Sequence, residues 1–280
     1  MATLSRVVVL PLALLCWAAQ IGATTFPATV EIDLIFPQND TYAPTTIFPL
    51  VFAWQNAALA PSLNPHIDVT LQLYNGSRSD ETNPKSFFPT FDFNQTLWNI
   101  SEPTFVYHHM LNFTSGTGDG PVHVYLTWAT NAGNCSDHGQ SFGGDYIQGG
   151  AIEFTMAKGG KQPDLVAATS NRETCKNISH AAFNLTGTKH VVPKLDRPYD
   201  TCAVFSDVQP RPEGDPCKVQ VSPSAAASIA AAIKSQECAA PRPVIDGCSP
   251  SSAAAGWKQQ VAGYSVFGSL MAAFVAIWSL

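Results

Sequence analysis

A two-residue hydrophobic beat, repeated along the first half of the chain, constrains the fold most tightly. In VEIDLIF, Val30, Ile32, Leu34 and Phe36 share one face, and Glu31 and Asp33 share the outward one. IDVTLQLY sets Ile67, Val69, Leu71 and Leu73 against Asp68, Thr70 and Gln72. VHVYLTWA sets Val122, Val124, Leu126 and Trp128 against His123, Tyr125 and Thr127. Successive side chains of a strand point to opposite faces, so this beat specifies half-buried strands; the helical period of about 3.6 does not recur here. FVYHHMLNF alternates Phe105, Tyr107, His109, Leu111 and Phe113 with Val106, His108 and Met110, and AIEFTMA adds Ile152, Phe154 and Met156. IFPLVFAW is apolar on both faces, as a central strand is, with Pro49 marking a bend or bulge. Turn-forming clusters (PQND, LNPH, YNGS, SGTGDG) separate the runs. Six or seven short strands over residues 24–160 predict a mainly β domain, an immunoglobulin-like β-sandwich in general build. The Cys…Trp…Cys spacing of antibody domains has no counterpart, because residues 24–134 hold no cysteine.

The cysteines divide the chain differently. Past residue 134 come Cys135, Cys175, Cys202, Cys217, Cys238 and Cys248. An even set in an exported chain predicts three disulfides, with fifteen pairings open. No C-x-x-C pair occurs, which argues against zinc. The first half must therefore stand on its hydrophobic core, while residues 161–240 form a disulfide-linked extension. Within it, HAAFNLTG and TCAVFSD read as two more strands at the sheet edge, held by Cys175 and Cys202. Ser222 is a good N-cap, Pro223 suits the first helical position, and Ile229 and Ile233 lie four apart on one face. These features predict a short helix to about Gln236.

Both chain ends are apolar. Arg6 precedes the run Val7–Ala19, which is too short to span a bilayer, and small Ala23 closes the segment; residues 1–23 read as a secretory signal peptide. At the other end Val261–Leu280 contains no Asp, Glu, Lys, Arg or His, and no basic cytoplasmic flank comes after it. Before it lie the spacer Ala253–Gln260 and the small residues of SPSSAAA. That order is the one a GPI signal requires, which predicts lipid attachment at Ser252, a propeptide over 253–280 and a Ser/Pro/Ala stalk over 241–252. Eight N-x-S/T sequons, at Asn39, Asn75, Asn94, Asn99, Asn112, Asn134, Asn177 and Asn184, predict a dense glycan coat, with Asn134 hindered by its neighbour Cys135. The net charge of −6 comes without any Lys/Arg cluster, so nucleic acid and anionic membrane surfaces are poor partners.

Catalytic patterns are weak. Gly139-Gln140-Ser141-Phe142-Gly143 matches G-x-S-x-G, and Asp145 or Asp164 and then His180 or His190 come after it in hydrolase order. That motif requires a tight strand-to-helix turn, whereas the GGDYIQGG beyond it does not start a helix, so it reads as a glycine-rich loop. Adjacent His108 and His109 point to opposite faces of a strand and cannot share a metal; His108 and His123 lack a third ligand. Asp137 and Asp145 are loop acids with no geometry to make them a glycosidase pair. Tyr42, Tyr74, Trp98, Tyr107 and Tyr125 are candidates for a sugar-stacking platform, with core packing as the default. No catalytic, metal or cofactor residue is assigned.

VEIDLIFPQNDTYAPTTIFPLVFAWQN, LTWATNAGNCSD, IEFTMAKGGKQPDLVAAT and CAVFSDVQPRPEGDPC resemble a family of fungal secreted proteins that carries a domain of unknown function, over about residues 26–240. The resemblance implies a fungal source and a location at the wall or plasma-membrane surface, and transfers no functional residue. The expected function is that of a non-catalytic, GPI-anchored cell-surface or cell-wall glycoprotein on the outer leaflet, touching wall polysaccharide or another surface protein. The alternative is a carbohydrate-active enzyme or glycan-binding module at the cell wall.

Overall fold

A computed structural model describes residues 25–74, 85–88, 102–112, 120–135, 142–171, 173, 175–193, 199–206, 212–240, 243 and 245–248, with backbone only over 142–146. Its strands in chain order are β1 (Ala28–Phe36), β2 (Thr41–Tyr42), β3 (Ile47–Gln55), β4 (His66–Tyr74), β5 (Lys85–Phe87), β6 (Thr104–Leu111), β7 (Val122–Cys135), β8 (Phe142–Met156), β9 (His180–His190) and β10 (Thr201–Phe205). The helices are α1 (Ala60–Leu63), α2 (Leu165–Ser170) and α3 (Pro223–Cys238).

The strands run in the order β2-β8-β7-β10-β9-β1-β3-β6, with β4 on β7 and β5 on β4. Pairing is antiparallel except between β2 and β8 and at the single Ala203–Asn134 link between β10 and β7. That link joins two five-stranded halves, and the Cys135–Cys202 disulfide sits on it, with 5.2 Å between Cα atoms. The halves face each other across the core. Phe48 of β3 stacks on Phe154 of β8 at 5.4 Å between ring centroids, and Phe52 meets Trp128 of β7 edge-on at 5.2 Å. Phe48 also touches Phe36 and Tyr42, so an aromatic cluster closes this end of the interior. Phe36 and Trp128 come from the faces of β1 and β7 that the alternation marked as inward, and Phe48 and Phe52 from the face of β3 that continues that of β1. The chain is mainly β, stapled by disulfides, with a short helix near its C-terminal end. The strand order does not by itself establish an immunoglobulin-like arrangement.

The structure departs from the sequence reading in four places. Phe142–Met156, expected to begin as a glycine-rich loop with Asp145 as a loop acid, form strand β8, because backbone pairing with β7 runs through the glycines. β9 and β10 do not sit at the sheet edge; β9 pairs with β1 along Ala28–Asp33, and β10 bridges β9 to β7. Backbone pairing decides this, and side-chain alternation carries no information about which strand neighbours which. Pairing runs unbroken through Pro49, opposite His109; the irregularity lies in β1, between Leu34 and Phe36. Finally, Glu31 and Asp33 do not face solvent: they are 4% and 0% exposed.

The second face of β1 is covered by the extension. α3 starts where expected, with Ser222 Oγ accepting from the Ala225 amide at 3.1 Å, and buries Ile229 and Ile233. It lies against β6 and α2. The segment before it, residues 212–222, crosses the outer face of β1 as a strap. Cys175–Cys217 pins the strap to the turn before β9, and Thr169 Oγ1 of α2 accepts from the Val221 amide at 2.9 Å. Cys238–Cys248 closes the end of α3. A third layer thus seals what the alternation marked as a solvent face.

Phe48→Ala removes a ring with no exposure and three aromatic neighbours. The expected loss is about 3–5 kcal/mol of folding free energy in urea denaturation, as for other buried Phe truncations. A loss under about 1 kcal/mol is incompatible with this packing.

Candidate functional site

Two places in the described structure gather polar side chains. The first lies beneath the strap. Glu31 pairs across the sheet with Gln55 and Ala182, and Asp33 with His180 and Ala53, which sets Glu31, Asp33, Gln55 and His180 on one face of three strands. Gln55 Nε2 donates to Asp33 Oδ2 at 2.9 Å and to the Asp215 carbonyl at 3.1 Å. The Asp215 amide donates to Glu31 Oε2 at 2.8 Å. His180 Nδ1 lies 3.0 Å from the Ile178 carbonyl, and a proton on Nδ1 donates there. Gly214 fits because it has no side chain: a Cβ there would collide with Glu31 Oε1 and the His180 ring.

This arrangement needs a proton. Glu31 Oε1 and Asp33 Oδ1 are buried with no ordinary donor, and the two side chains are within hydrogen-bonding reach of each other. One proton shared between them supplies the missing donor. Burial is the main force on Asp33, then the charge of Glu31 and the hydrogen bond to it; Gln55 opposes and Asp215 adds. Together they push its pKa up to about 9. The carboxyl pair is therefore a proton-sharing clasp under the strap. Both carboxyls are buried beneath Gly214, which suits a structural role.

The second place is an open cleft of about 330 Å³ between the Pro37–Tyr42 turn and residues 161–179. Leu34, Phe36, Ile152 and Ile178 make its floor, and amide side chains, Asp40 and Lys161 its rim. Gln38 Nε2 donates to the Ala168 carbonyl at 2.7 Å, tying the turn to α2. Asp40 accepts from Lys161 Nζ at 2.5 Å and from the Thr41 amide at 2.7 Å. Burial works to raise its pKa, but the Lys161 hydrogen bond, the Thr41 amide and the Lys161 charge outweigh it and hold Asp40 below the usual carboxylate range. Asp164 caps α2, accepting from the Val166 and Ala167 amides at 3.0 Å each. Burial pushes the Tyr42 hydroxyl up to about 12, so it stays a neutral hydrogen-bonding group, contacting the Gln38 backbone.

The residues singled out from sequence are scattered. The cysteines pair as 135–202, 175–217 and 238–248. Asn39 and Asn177 are exposed and both line the cleft. Asn112 is exposed, in the left-handed region at φ 44°. Asn184 is half-buried in β9. Asn134 is half-buried beside the Cys135 disulfide, and its Oδ1 accepts from the Phe205 amide at 3.3 Å. Asn75, Asn94, Asn99, Trp98, Asp137, Ser141 and Ser252 lie outside the described residues, as do the side chain of Asp145 and both apolar termini. Phe142–Met156 form strand β8, whereas a nucleophile elbow needs a helix there. Tyr42 and Tyr74 are core residues, and Tyr107 and Tyr125 are half-buried on β6 and β7. His108 and His123 lie on strands that do not pair. The His108 and His109 ring centroids are 5.7 Å apart, and His109 Nε2 sits 3.4 Å from Glu237 of α3. Among the described residues no group of three or more His, Cys, Asp or Glu could hold a metal ion, and no helix is long and apolar enough to cross a membrane.

Sequence reasoning missed the carboxyl clasp because acidic residues at period two read as a wet face. A signal for it did exist: PEGDPC offers a glycine and a backbone amide beside a cysteine, a segment built to be pinned against something. Residues 25–247 match the family model described as Domain of unknown function (DUF7136). No curated protein and no solved structure matches the chain.

The clasp has a pH signature. Between about pH 4, where a free Asp titrates, and about 9, the folded chain holds a proton that the unfolded chain has released. The stability conferred by Asp33 is thus complete below about pH 4 and lost as pH rises to about 9, at up to about 1.4 kcal/mol per unit. Asp33→Asn keeps one donor and one acceptor and cannot ionise. Its urea midpoint is expected to decline less than that of the parent from about pH 5 to 8, and to exceed it at about pH 8. Parallel pH profiles would refute the shared proton.

Proposed function

The chain belongs to the family described as Domain of unknown function (DUF7136), and we propose that it is a non-catalytic, GPI-anchored cell-surface or cell-wall glycoprotein of a fungus. The observation that carries this reading is the cysteine pairing: all six cysteines downstream of the apolar N-terminal segment are joined within the described domain. Three disulfides suit an oxidising, extracellular compartment and are rare in the cytosol. The exposed sequons Asn39, Asn112 and Asn177 support glycosylation, and the engaged side chain of Asn134 makes that site the poorest acceptor. Cys238–Cys248 ends the stapled region just before the small-residue run that holds Ser252. In the GPI reading a transamidase breaks the peptide bond after Ser252, and the ethanolamine amine of the lipid takes the place of the departing propeptide.

The mechanism is presentation. The lipid confines the domain to the outer leaflet, glycans keep it soluble, and its loops touch wall polymer or another surface protein. The strongly perturbed carboxyl in the fold is sealed beneath the strap and serves stability, which favours a non-catalytic role. A glycan-binding module or carbohydrate-active enzyme at the cell wall is the second reading, and the apolar-floored, polar-rimmed cleft favours it.

Phosphatidylinositol-specific phospholipase C is expected to shed the protein from intact fungal cells, with Asn134 unmodified in the released product's glycopeptide map. A protein that stays on the cells and retains an epitope inserted between Gln260 and Val261 would overturn the lipid-anchor reading.

A further inference from the structure

We propose that the cleft between the Pro37–Tyr42 turn and residues 161–179 is a seat for the chain's own N-linked glycan, delivered from its rim. The proposal rests on the glycoprotein reading and goes beyond it by naming the occupant of the cleft.

Three observations carry the assignment. Asn39 and Asn177 are 138 positions apart in sequence yet line the same cleft, from opposite walls. Both are exposed, and among the described residues no hydrogen bond holds either carboxamide, in contrast to Asn134. Both turns are rigidly placed. The Asn39 turn is tied by Gln38 to Ala168 and by Asp40 to Lys161, and the Asn177 turn by Cys175–Cys217. A sugar bonded to either side chain therefore arrives at the mouth of the cleft in a fixed position.

The lining suits a pyranose. The partly exposed Ile152, above the buried Leu34, Phe36 and Ile178, offers apolar surface to a C–H face, and Gln162 and the Asp40–Lys161 pair offer donors and acceptors to ring hydroxyls and the acetamide. A volume of about 330 Å³ matches one or two sugar rings, at the small end of ligand pockets. Tethering decides between this occupant and a free wall polysaccharide. A sugar held by a one-residue linker has an effective concentration in the millimolar range or above, which a weakly bound external glycan does not match. The covalent step is the ordinary one: a polyprenyl-pyrophosphate-linked oligosaccharide is the donor, its C1–O phosphate bond breaks, the Asn Nδ2–C1 bond forms, Nδ2 loses a proton, and the lipid pyrophosphate leaves.

The test uses the glycoprotein secreted from a yeast host with its tail truncated after Ser252. Endoglycosidase H leaves the first N-acetylglucosamine on each site, and peptide-N-glycosidase F removes it. The first product is expected to keep the melting temperature of the intact protein and the second to fall by about 2–4 °C, the shift that about 1 kcal/mol produces in a domain of this size. Hydrogen exchange at the amides of 38–42 and 161–168 should rise only in the second product. The difference should vanish in the double variant Asn39→Gln/Asn177→Gln and persist in Asn112→Gln/Asn184→Gln. Melting temperatures that agree for both digests, or an unchanged difference in the Asn39/Asn177 double variant, overturn the proposal. Glycopeptide mapping separates it from the reading beneath it. Unmodified Asn39 and Asn177 beside occupied Asn112 or Asn184 sink the seat alone; a chain with no occupied sequon sinks both.

Discussion

Everything in this fold depends on β1 being buried on both faces. Its apolar face, Val30, Ile32, Leu34 and Phe36, lies beside Phe48 and Phe52 of the neighbouring β3, which meet Phe154 and Trp128 of the opposite half. Its other face carries two carboxyls, and taking those out of water costs several kcal/mol unless they are neutralised and hydrogen-bonded. The strap, with one backbone amide, one glycine and one cysteine, meets that demand. The Asp215 amide reaches Glu31, Gly214 leaves room, and Cys217 holds the segment in place. Without the strap the carboxyls would sit on a half-covered face, and without the carboxyls the strap would have little to bind. The two are one interaction, and it couples residues separated by most of the chain.

This bears on why the six paired cysteines all lie past residue 134. The first-half strands supply most of the buried apolar cluster, and β9, β10 and α3 complete it. The strap and the turn before β9 lie outside the sheet and bury only a few side chains, Val219 and Val221 in one and Ile178 in the other, and a disulfide fixes such segments. Cys175–Cys217 spans 42 positions and joins the strap to the turn that carries Asn177 and Ser179. Shortening the unfolded chain's freedom by a loop of that length is worth about 3–4 kcal/mol in the chain-entropy view. Two of the staples, Cys175–Cys217 and Cys238–Cys248, therefore belong to the covering layer, while Cys135–Cys202 locks the link between the two halves of the sheet.

The strands were legible from sequence because side-chain alternation reports burial directly. VHVYLTWA and IDVTLQLY alternate in the folded chain as they do on paper, with Val124, Leu126 and Trp128 inside and His123 outside. The α3 cap at Ser222 was equally legible, since a local hydrogen bond specifies it. VEIDLIF misled for a physical reason: alternation distinguishes apolar from polar faces, and a polar face is taken as wet unless something else covers it. The strap that covers Glu31 and Asp33 lies about 180 residues downstream, and no local pattern links the two. The cleft was illegible for the same reason. Asn39 and Asn177 each show as a sequon, but only the fold makes them neighbours.

Ser179 ties the modification chemistry to the core. It is the third residue of the Asn177 sequon, whose hydroxyl the oligosaccharide transferase must reach. In the folded chain its Oγ accepts from the indole Nε1 of Trp128 at 2.9 Å. Trp128 is buried, and its indole N–H would otherwise be stranded. Gly150, paired with Trp128 across β7 and β8, leaves the room that Ser179 fills. One hydroxyl thus serves two masters that cannot be served at once. In the proposed glycoprotein reading, transfer to Asn177 has to precede the closing of β7 on the β9 turn, after which the serine belongs to the tryptophan. In that reading the order is set by geometry: a chain that folds first has committed the hydroxyl, and a chain that is modified first still folds, because the modification leaves Ser179 Oγ intact.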